Sequence, residues 1–278
     1  EVKGRGYKIY DPNTNNRLGT RFFGKRYFVQ PMKNGLKWGE FFPKTYQILV
    51  VPDEDSTTLL VNGKEYKGSL YIYQVGEKVH IVNEVALDKY VKSVLGAEIN
   101  QAYNPEALAA AAITARTEAF YHVWKTKQPY WHVKADEVGY QGYAVTHRPF
   151  GVDKAVEKTK SMVMQFQSYG NLQPFKAKWT HNSAGRTASL SAIFRDNTPV
   201  PFASRETPFA SMSKEQSQWT FELSLDDLAK EINMPYVTGV ESYQDPESGK
   251  VFALRVFNDK NSMDVELSSL LRSFESKE

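Results

Sequence analysis

Short apolar segments with two-residue alternation follow one another from residue 2 to about residue 82, and this spacing predicts β-strands. The segments are YKIYD, RYFVQ, YQILVV, TTLLVNG, SLYIYQVG and KVHIVN. The VNG sequence at residues 61–63 suits the turn of a hairpin. We therefore predict a β-rich region at residues 1–60, either a small β domain or a β extension of the main domain.

The pattern then changes to helical spacing, and two consecutive segments, ALDKYVKSVLGAE and NPEALAAAAITARTEAFYHVWK, predict two helices joined by INQAY. Asn104 is suited to cap the second helix, because Pro105 follows at the first helical position and Glu106 lies near the positive end of the helix dipole. A helical hairpin is thus predicted directly after the last of the predicted strands, KVHIVN.

The remainder of the chain has a mixed pattern. It predicts short helices at 152–161 and 225–232, strands at 162–167 and 176–180, and a hairpin of 238–244 with 251–257. The expected fold class is α+β, with mixed helices and antiparallel strands around a central cleft and a main domain at residues 61–278.

Glu98 stands where the first helix calls for an apolar side chain. Leu87, Val91 and Val94 follow one another at i, i+4 and i+7, and Glu98 is the next position on that face. A carboxyl at the rim of the core and at the negative end of a helix favours its protonated form and can donate a proton at neutral pH. A solvated glutamate at a helix end would have the same spacing.

Arg116 is the corresponding exception in the second helix. Its neighbours at helical spacing are Ala109, Ala112, Ile113, Ala119, Phe120 and Val123. Small neighbours allow close helix packing, which would hold the guanidinium near a carboxylate or backbone carbonyls. Alternatively, its stem covers apolar surface while its head stays in water. Both residues in one helical hairpin predict a buried polar site.

The amino-acid composition limits the classes of binding partner and of reaction that the chain can have. The 35 basic and 32 acidic residues leave a formal charge of +3, too small to indicate nucleic acid and mildly favourable for an anionic cell wall. The absence of cysteine excludes disulfides and thiolate chemistry. No apolar run approaches the roughly 20 residues of a membrane helix. Since the chain begins at Glu1 without methionine, we expect membrane attachment only through a removed N-terminal anchor.

The helical hairpin resembles the signature of the stage II sporulation protein D (SpoIID/LytB-like) family. The matching positions are Asn83, Leu87, Tyr90, Lys92, Val94, Glu98, Pro105, Glu106, Ala107, Leu108, Ala115, Arg116 and Thr117. Further on, Tyr140 and Gly142 resemble the family's Y-x-G, and HNSAGRT at residues 181–187 resembles its S-x-S-G-G-x-T segment. The resemblance covers about residues 60 to 278.

This resemblance implies a peptidoglycan lytic transglycosylase that cleaves between N-acetylmuramic acid and N-acetylglucosamine during wall remodelling, division or sporulation. It implies that Glu98 is the catalytic acid and that Arg116 belongs to the same site. Such an enzyme can use a single carboxyl group, which first donates and then accepts a proton. The implied substrate-binding residues are Tyr140, Gly142, His181, Asn182, Ser183, Gly185 and Arg186. Aromatic residues suited either to stack on sugar faces or to fill the core are Trp124, Trp131, Tyr140 and Tyr143.

The resemblance further implies an extracytoplasmic location, in the periplasm, cell wall or intermembrane space, with peptidoglycan strands and a cell-wall amidase as partners. No cofactor is expected. Some family members hold zinc through cysteine and histidine, which a cysteine-free chain cannot reproduce, and the five histidines show no metal-binding spacing, so no metal is predicted.

Several positions depart from the family pattern. Ala109, Ala111, Glu118, Val138 and Ala184 stand where relatives commonly carry lysine, glutamine, tyrosine, glutamine and glycine, respectively. Two alternatives to the lytic enzyme therefore stay open. One is a hydrolytic muramidase, which normally needs a second carboxylate. The other is a non-catalytic glycan-binding protein that stimulates an amidase.

Overall fold

The computed structural model describes residues 1–21, 26–127, 130–147, 150–168, 170–180, 182–189, 204–212, 220 and 222–275. The chain divides into two compact units, Glu1–Trp179 and Thr180–Glu278. Both units combine helices with small antiparallel sheets, so the α+β class predicted from the sequence is confirmed.

The first unit is rich in short strands. They are β1 (Val2–Lys3), β2 (Tyr7–Tyr10), β3 (Arg17–Arg21), β4 (Val29–Met32), β5 (Gly35–Trp38), β6 (Glu40–Pro43), β7 (Gln47–Pro52), β8 (Thr58–Val61), β9 (Lys64–Tyr66), β10 (Ser69–Val75), β11 (Lys78–Glu84), β12 (Phe166–Ser168) and β13 (Asn171–Gln173). They pair in the orders β1-β8-β9, β11-β10-β7-β2-β3, β4-β5-β6 and β12-β13.

The five-stranded sheet has one face in the core of the unit. In β10, Leu70 and Ile72 are buried against that core, and the period of two places Tyr71 and Tyr73 on the other face. Strand pairing crosses residue 60, the predicted domain boundary, in this sheet, where β7 pairs with β10, and in β1-β8-β9, where Leu59 of β8 pairs with Tyr66 of β9.

The VNG hairpin predicted from the sequence is confirmed, since it joins β8 to β9. Asn62 and Gly63 have φ values of 49° and 84°, as a two-residue turn with two left-handed positions requires.

The described residues of the first unit also form four α-helices: α1 (Leu87–Glu98), α2 (Pro105–Lys125), α3 (Ala135–Val138) and α4 (Val152–Lys158). The predicted helical hairpin is confirmed, and the Oδ1 atom of Asn104 caps α2 by accepting a 2.8 Å hydrogen bond from the backbone N–H of Glu106. The helices α1, α2 and α4 share an apolar core that includes Val91, Ala112 and Val156, each with no exposed surface.

The second unit contains α5 (Leu225–Glu231), a sheet in the order β14-β15-β16, and α6 (Leu267–Glu275). Its strands are β14 (Gly239–Gln244), β15 (Val251–Phe257) and β16 (Ser262–Glu266). The predicted helix at 225–232 and the predicted hairpin are confirmed. The sequence analysis missed β16, because the segment SMDVE has only two apolar residues, Met263 and Val265, and is largely exposed.

The strand predicted at 176–180 is wrong. Phe175 and Ala177 are buried, as the alternation suggested, but the segment pairs with no strand among the described residues. Its Lys178 instead forms an ion pair with a residue of α2. The buried Phe175 ring contacts that of Phe166 in β12, with centroids 6.2 Å apart, so alternating burial can arise from side-chain packing without strand pairing. No described helix is both long enough and apolar enough to span a membrane.

Candidate functional site

Glu98 is the last residue of α1, and its side chain is exposed. The apolar face of α1 is buried at Val91 and Val94, which are 0% and 5% exposed. The helix ends at Glu98, the next position on that face. The expected position of Glu98 at the rim of the core is therefore wrong. Its carboxyl group lies at the accessible C-terminal end of α1.

Arg116 is the most deeply buried charged residue of the helical hairpin, with 1% of its surface exposed. Nε and Nη2 donate to Asp88 Oδ1 at 3.1 and 3.0 Å. Nη1 donates to Thr159 Oγ1 and to the Met162 carbonyl, and Nη2 also donates to the Val156 carbonyl. These bonds match the five N–H donors of a guanidinium. Arg116 thus has no N–H left for a substrate.

The structure does not bring Glu98 and Arg116 together. Arg116 binds Asp88 in the first turn of α1, whereas Glu98 ends that helix ten residues later, which corresponds to about 15 Å of helix. The predicted pairing of these two residues in one site is therefore wrong. Arg116 instead joins α1 and α2 to the end of α4 and the residues directly after it.

Tyr140 and Gly142 hold their loop against the strands. The Tyr140 hydroxyl donates to Asn83 Oδ1 at 2.5 Å, and its ring stacks on Tyr90 with centroids 5.4 Å apart. Gly142 has a φ of 81°, and a Cβ there would lie 2.4 Å from the Glu65 carbonyl oxygen. Burial raises the pKa of Tyr140, so its hydroxyl stays protonated and keeps the hydrogen bond to Asn83.

A cavity of about 910 Å³ lies over the outer face of β10 and β11, against the C-terminal half of α2 and residues 130–135. We call it the aromatic pocket. The aromatic residues that line it are Tyr66, Tyr71, Tyr73, Tyr90, Phe120, Tyr130, Trp131 and Tyr140. Of the four aromatic residues that the sequence proposes for sugar stacking, Trp131 and Tyr140 line the pocket, whereas Trp124 and Tyr143 do not. The sequence analysis missed the pair on β10, although their two-residue spacing opposite Leu70 and Ile72 was a usable signal.

Glu118 forms a buried ion pair next to this region. It is 7% exposed, and its Oε1 lies 2.8 Å from Lys178 Nζ and 3.7 Å from His122 Nε2. Burial alone raises the pKa of Glu118, but the hydrogen bond from His122 and the charge of Lys178 outweigh it, so the pKa lies below its usual value. The ion pair holds Lys178, near the end of the first unit, against α2.

The predicted binding residues of the second unit form a tight turn. The Asn182 Oδ1 accepts a 2.6 Å hydrogen bond from the Ala184 N–H, and Ala184 and Gly185 follow in left-handed conformation with φ of 47° and 92°. Ser183 is buried, and its Oγ lies 2.6 Å from Thr207 Oγ1. His181, also predicted to bind substrate, lies outside the described residues.

Arg186 continues this turn. Its Nε donates to Ser204 Oγ at 2.8 Å, and its Nη1 lies 3.6 Å from the exposed Glu206 carboxylate. Lys250 donates to the Ser183 carbonyl at 2.7 Å from the loop between β14 and β15. The segment SAGRT is therefore held mainly by its own unit. Among the described residues, no three acidic or histidine side chains are grouped closely enough to hold a metal ion.

Part of the chain is similar to a known protein family and to proteins of other bacteria. Residues 75–166 match the family model described as "Stage II sporulation protein", SpoIID, which spans β11, the helical hairpin and α4. An uncharacterized protein of Chlamydia pneumoniae is 37% identical over 167 residues, which are 59% of this chain and 60% of that protein. An uncharacterized protein of Chlamydia muridarum (strain MoPn / Nigg) is 36% identical over 166 residues, 59% of this chain and 57% of its own length.

A longer match is to an uncharacterized protein of Brachyspira hyodysenteriae, which is 27% identical over 267 residues, 93% of this chain and 69% of that protein. The chain thus spans less than two thirds of the length of the chlamydial relatives.

Proposed function

We propose that this chain, whose residues 75–166 match the SpoIID family model, cleaves peptidoglycan glycan strands as a lytic transglycosylase with Glu98 as general acid and base. The match to the SpoIID domain supports a role in the cell wall or in sporulation. The observation that carries the finer proposal is the position of Glu98, the matched acid of the family signature, at the exposed end of α1.

The proposed reaction needs one carboxyl group. Glu98 donates its proton to the glycosidic oxygen between N-acetylmuramic acid and N-acetylglucosamine, and that bond breaks. The C6 hydroxyl of the muramic acid then bonds to the anomeric carbon, and the Glu98 carboxylate accepts the hydroxyl proton. The products are a 1,6-anhydro muramic end and a free N-acetylglucosamine hydroxyl, and Glu98 is protonated again.

An exposed acid suits a polymeric substrate. A glycan strand laid over Glu98 removes water from the carboxyl group, and desolvation favours the neutral, proton-donating form. The end of α1 must stay fixed while this happens. The buried hydrogen bonds of Arg116 hold α1 against α2 and α4, so we assign Arg116 a positioning role at a distance from the substrate.

The test is digestion of purified peptidoglycan by the protein, followed by mass spectrometry of the products. Anhydro-muramic ends that disappear with Glu98→Gln support the proposal. Reducing ends would instead identify a muramidase. A folded Glu98→Gln protein with full activity would exclude Glu98 as the acid in both mechanisms.

A second function is favoured by a separate observation. The family positions at Ala109 and Ala111 carry methyl groups where relatives commonly have longer polar side chains, which fits a protein that binds glycan without cutting it. Such a protein would stimulate a cell-wall amidase. It would retain glycan in a pull-down, release no soluble product and increase amidase turnover. Both functions require an extracytoplasmic location, which we propose with them.

A further inference from the structure

One wall of the aromatic pocket is a continuous series of rings. Tyr71 and Tyr73 stack with centroids 5.8 Å apart and planes within 3° of each other. Tyr130 packs on Tyr73 at 4.9 Å, and Trp131 stacks on His80 at 5.3 Å. Because His80 is the cross-strand partner of Tyr73, the rings extend over both strands and the segment beyond α2. They form a broad aromatic surface.

The opposite wall is apolar and accessible. Leu87, Phe120 and Val123 line the pocket and are 38%, 37% and 50% exposed. Among the described lining residues, the only carboxylate side chain is that of Glu84 and the only lysine or arginine is Lys134. The pocket therefore suits an uncharged ligand with apolar faces, and its volume lies within the range of small-molecule sites.

We propose that the aromatic pocket binds an N-acetylhexosamine unit of a glycan strand, at a place separate from the cleavage site. The choice of sugar rests on the proposed function. A pyranose ring has apolar C–H faces that pack on aromatic rings, while its hydroxyls bond with tyrosine hydroxyls and imidazole nitrogens at the ring edges. The methyl group of the acetamide finds apolar contact on the opposite wall.

The pocket is displaced from Glu98 along α1. Two residues of this helix line the pocket, Leu87 and Tyr90, and the nearer one, Tyr90, is eight residues or about 12 Å from Glu98. A strand bound at both places would gain affinity from two linked contacts. The pocket would then favour polymeric glycan over short fragments.

The test is isothermal titration of the full chain with the trimer of N-acetylglucosamine, which lacks muramic acid. Cellotriose, with the same ring linkage and no acetamide groups, is the ligand control. We expect saturable binding of the acetylated trimer, about tenfold weaker binding of cellotriose, and a loss of about tenfold in Trp131→Ala and Phe120→Ala. Trp124→Ala is the matched control, because Trp124 is 57% exposed and lies outside the pocket.

Each contrary result is distinct. If the trimer does not bind, or if the Trp131→Ala and Phe120→Ala proteins bind it as tightly as the wild type does, the pocket is not the binding site. Displacement of the trimer by N-acetyltryptophanamide at equal concentration would overturn the choice of sugar. Trimer binding without peptidoglycan cleavage would remove the proposed reaction but keep this site, and cleavage without trimer binding would do the reverse. Binding should persist in Glu98→Gln.

Discussion

Two N–H groups of Arg116 donate to a single carboxylate oxygen of Asp88, at 3.1 and 3.0 Å, and connect the first turn of α1 to the middle of α2. The arginine is 1% exposed and the Asp88 side chain is 34% exposed. Removing the partner of a buried charge is costly, because the remaining charge is left without compensation.

We therefore predict that Asp88→Asn lowers the free energy of unfolding by about 2–4 kcal/mol. The matched control is Asp153→Asn, whose carboxylate pairs with Lys92 at 2.7 Å but is 55% exposed. That change should cost less than about 1 kcal/mol, as exposed pairs do. Urea unfolding of both variants measures the difference, and equal losses would show that the Asp88 pair behaves as a surface contact.

Glu118 should make stability depend on pH in the acid range. Its pKa is lowered in the fold from the usual 4.5, so the unfolded chain binds more protons just below that value. The stabilisation is present above about pH 4.5 and is lost as pH falls through the folded pKa. Thermal unfolding of the wild type should therefore shift to lower temperature across this window.

Glu118→Gln should remove part of that pH dependence and lower stability at pH 7 by about 1–2 kcal/mol. Glu106→Gln is the control on the same helix, because its side chain is 76% exposed. A wild-type slope that is unchanged in Glu118→Gln would assign the pH dependence to other carboxyl groups.

The Y-x-G glycine offers a test of steric fit. Gly142→Ala adds a Cβ 2.4 Å from the Glu65 carbonyl oxygen at a φ of 81°, whereas Gly139→Ala, at a φ of 67°, meets no atom within 4 Å. Both changes carry the cost of a left-handed conformation, about 1 kcal/mol. We expect Gly142→Ala to cost about 2 kcal/mol more in urea unfolding. Equal costs would indicate that the loop moves away from β9 freely.

The sequence predicts those parts of the fold that depend on neighbouring residues, and not those that depend on contacts between residues distant in sequence. The helical hairpin was predictable because periodicity, Asn104 and Pro105 are local features. The contacts of Arg116 were not, because periodicity shows which face of a helix is buried but not which turn of a neighbouring helix it meets. Asp88 and the carbonyl groups of Val156 and Met162 are distant from Arg116 in sequence, and no sequence pattern marks them. The aromatic pocket likewise needs residues 130–135 to return over β10, which no local signal predicts.

The turn in the second unit carries a residue in an unfavourable conformation. Ala184 has a φ of 47°, in the left-handed region where a Cβ costs about 1–2 kcal/mol. Ala184→Gly should raise the stability of this unit by about 0.5–1 kcal/mol, after the greater flexibility of glycine in the unfolded chain is offset. Gly185→Ala, at a φ of 92°, should lower it. Opposite signs in urea unfolding are expected, and a destabilising Ala184→Gly would contradict the conformational explanation.

The roles of Glu98 and Arg116 can be separated by measuring activity and stability together. Glu98→Gln should lower the rate of glycan cleavage by about 100-fold or more, because it removes the general acid, while an exposed position keeps stability within about 0.5 kcal/mol. Arg116→Lys loses the planar fork that reaches Asp88 and the Val156 carbonyl, and should lower stability by about 3 kcal/mol. Per folded molecule, its cleavage rate should stay within a few-fold of the wild type. A well-folded Arg116→Lys protein as inactive as Glu98→Gln would place Arg116 at the reacting atoms, contrary to the roughly 15 Å of helix that we infer between its partner and the acid.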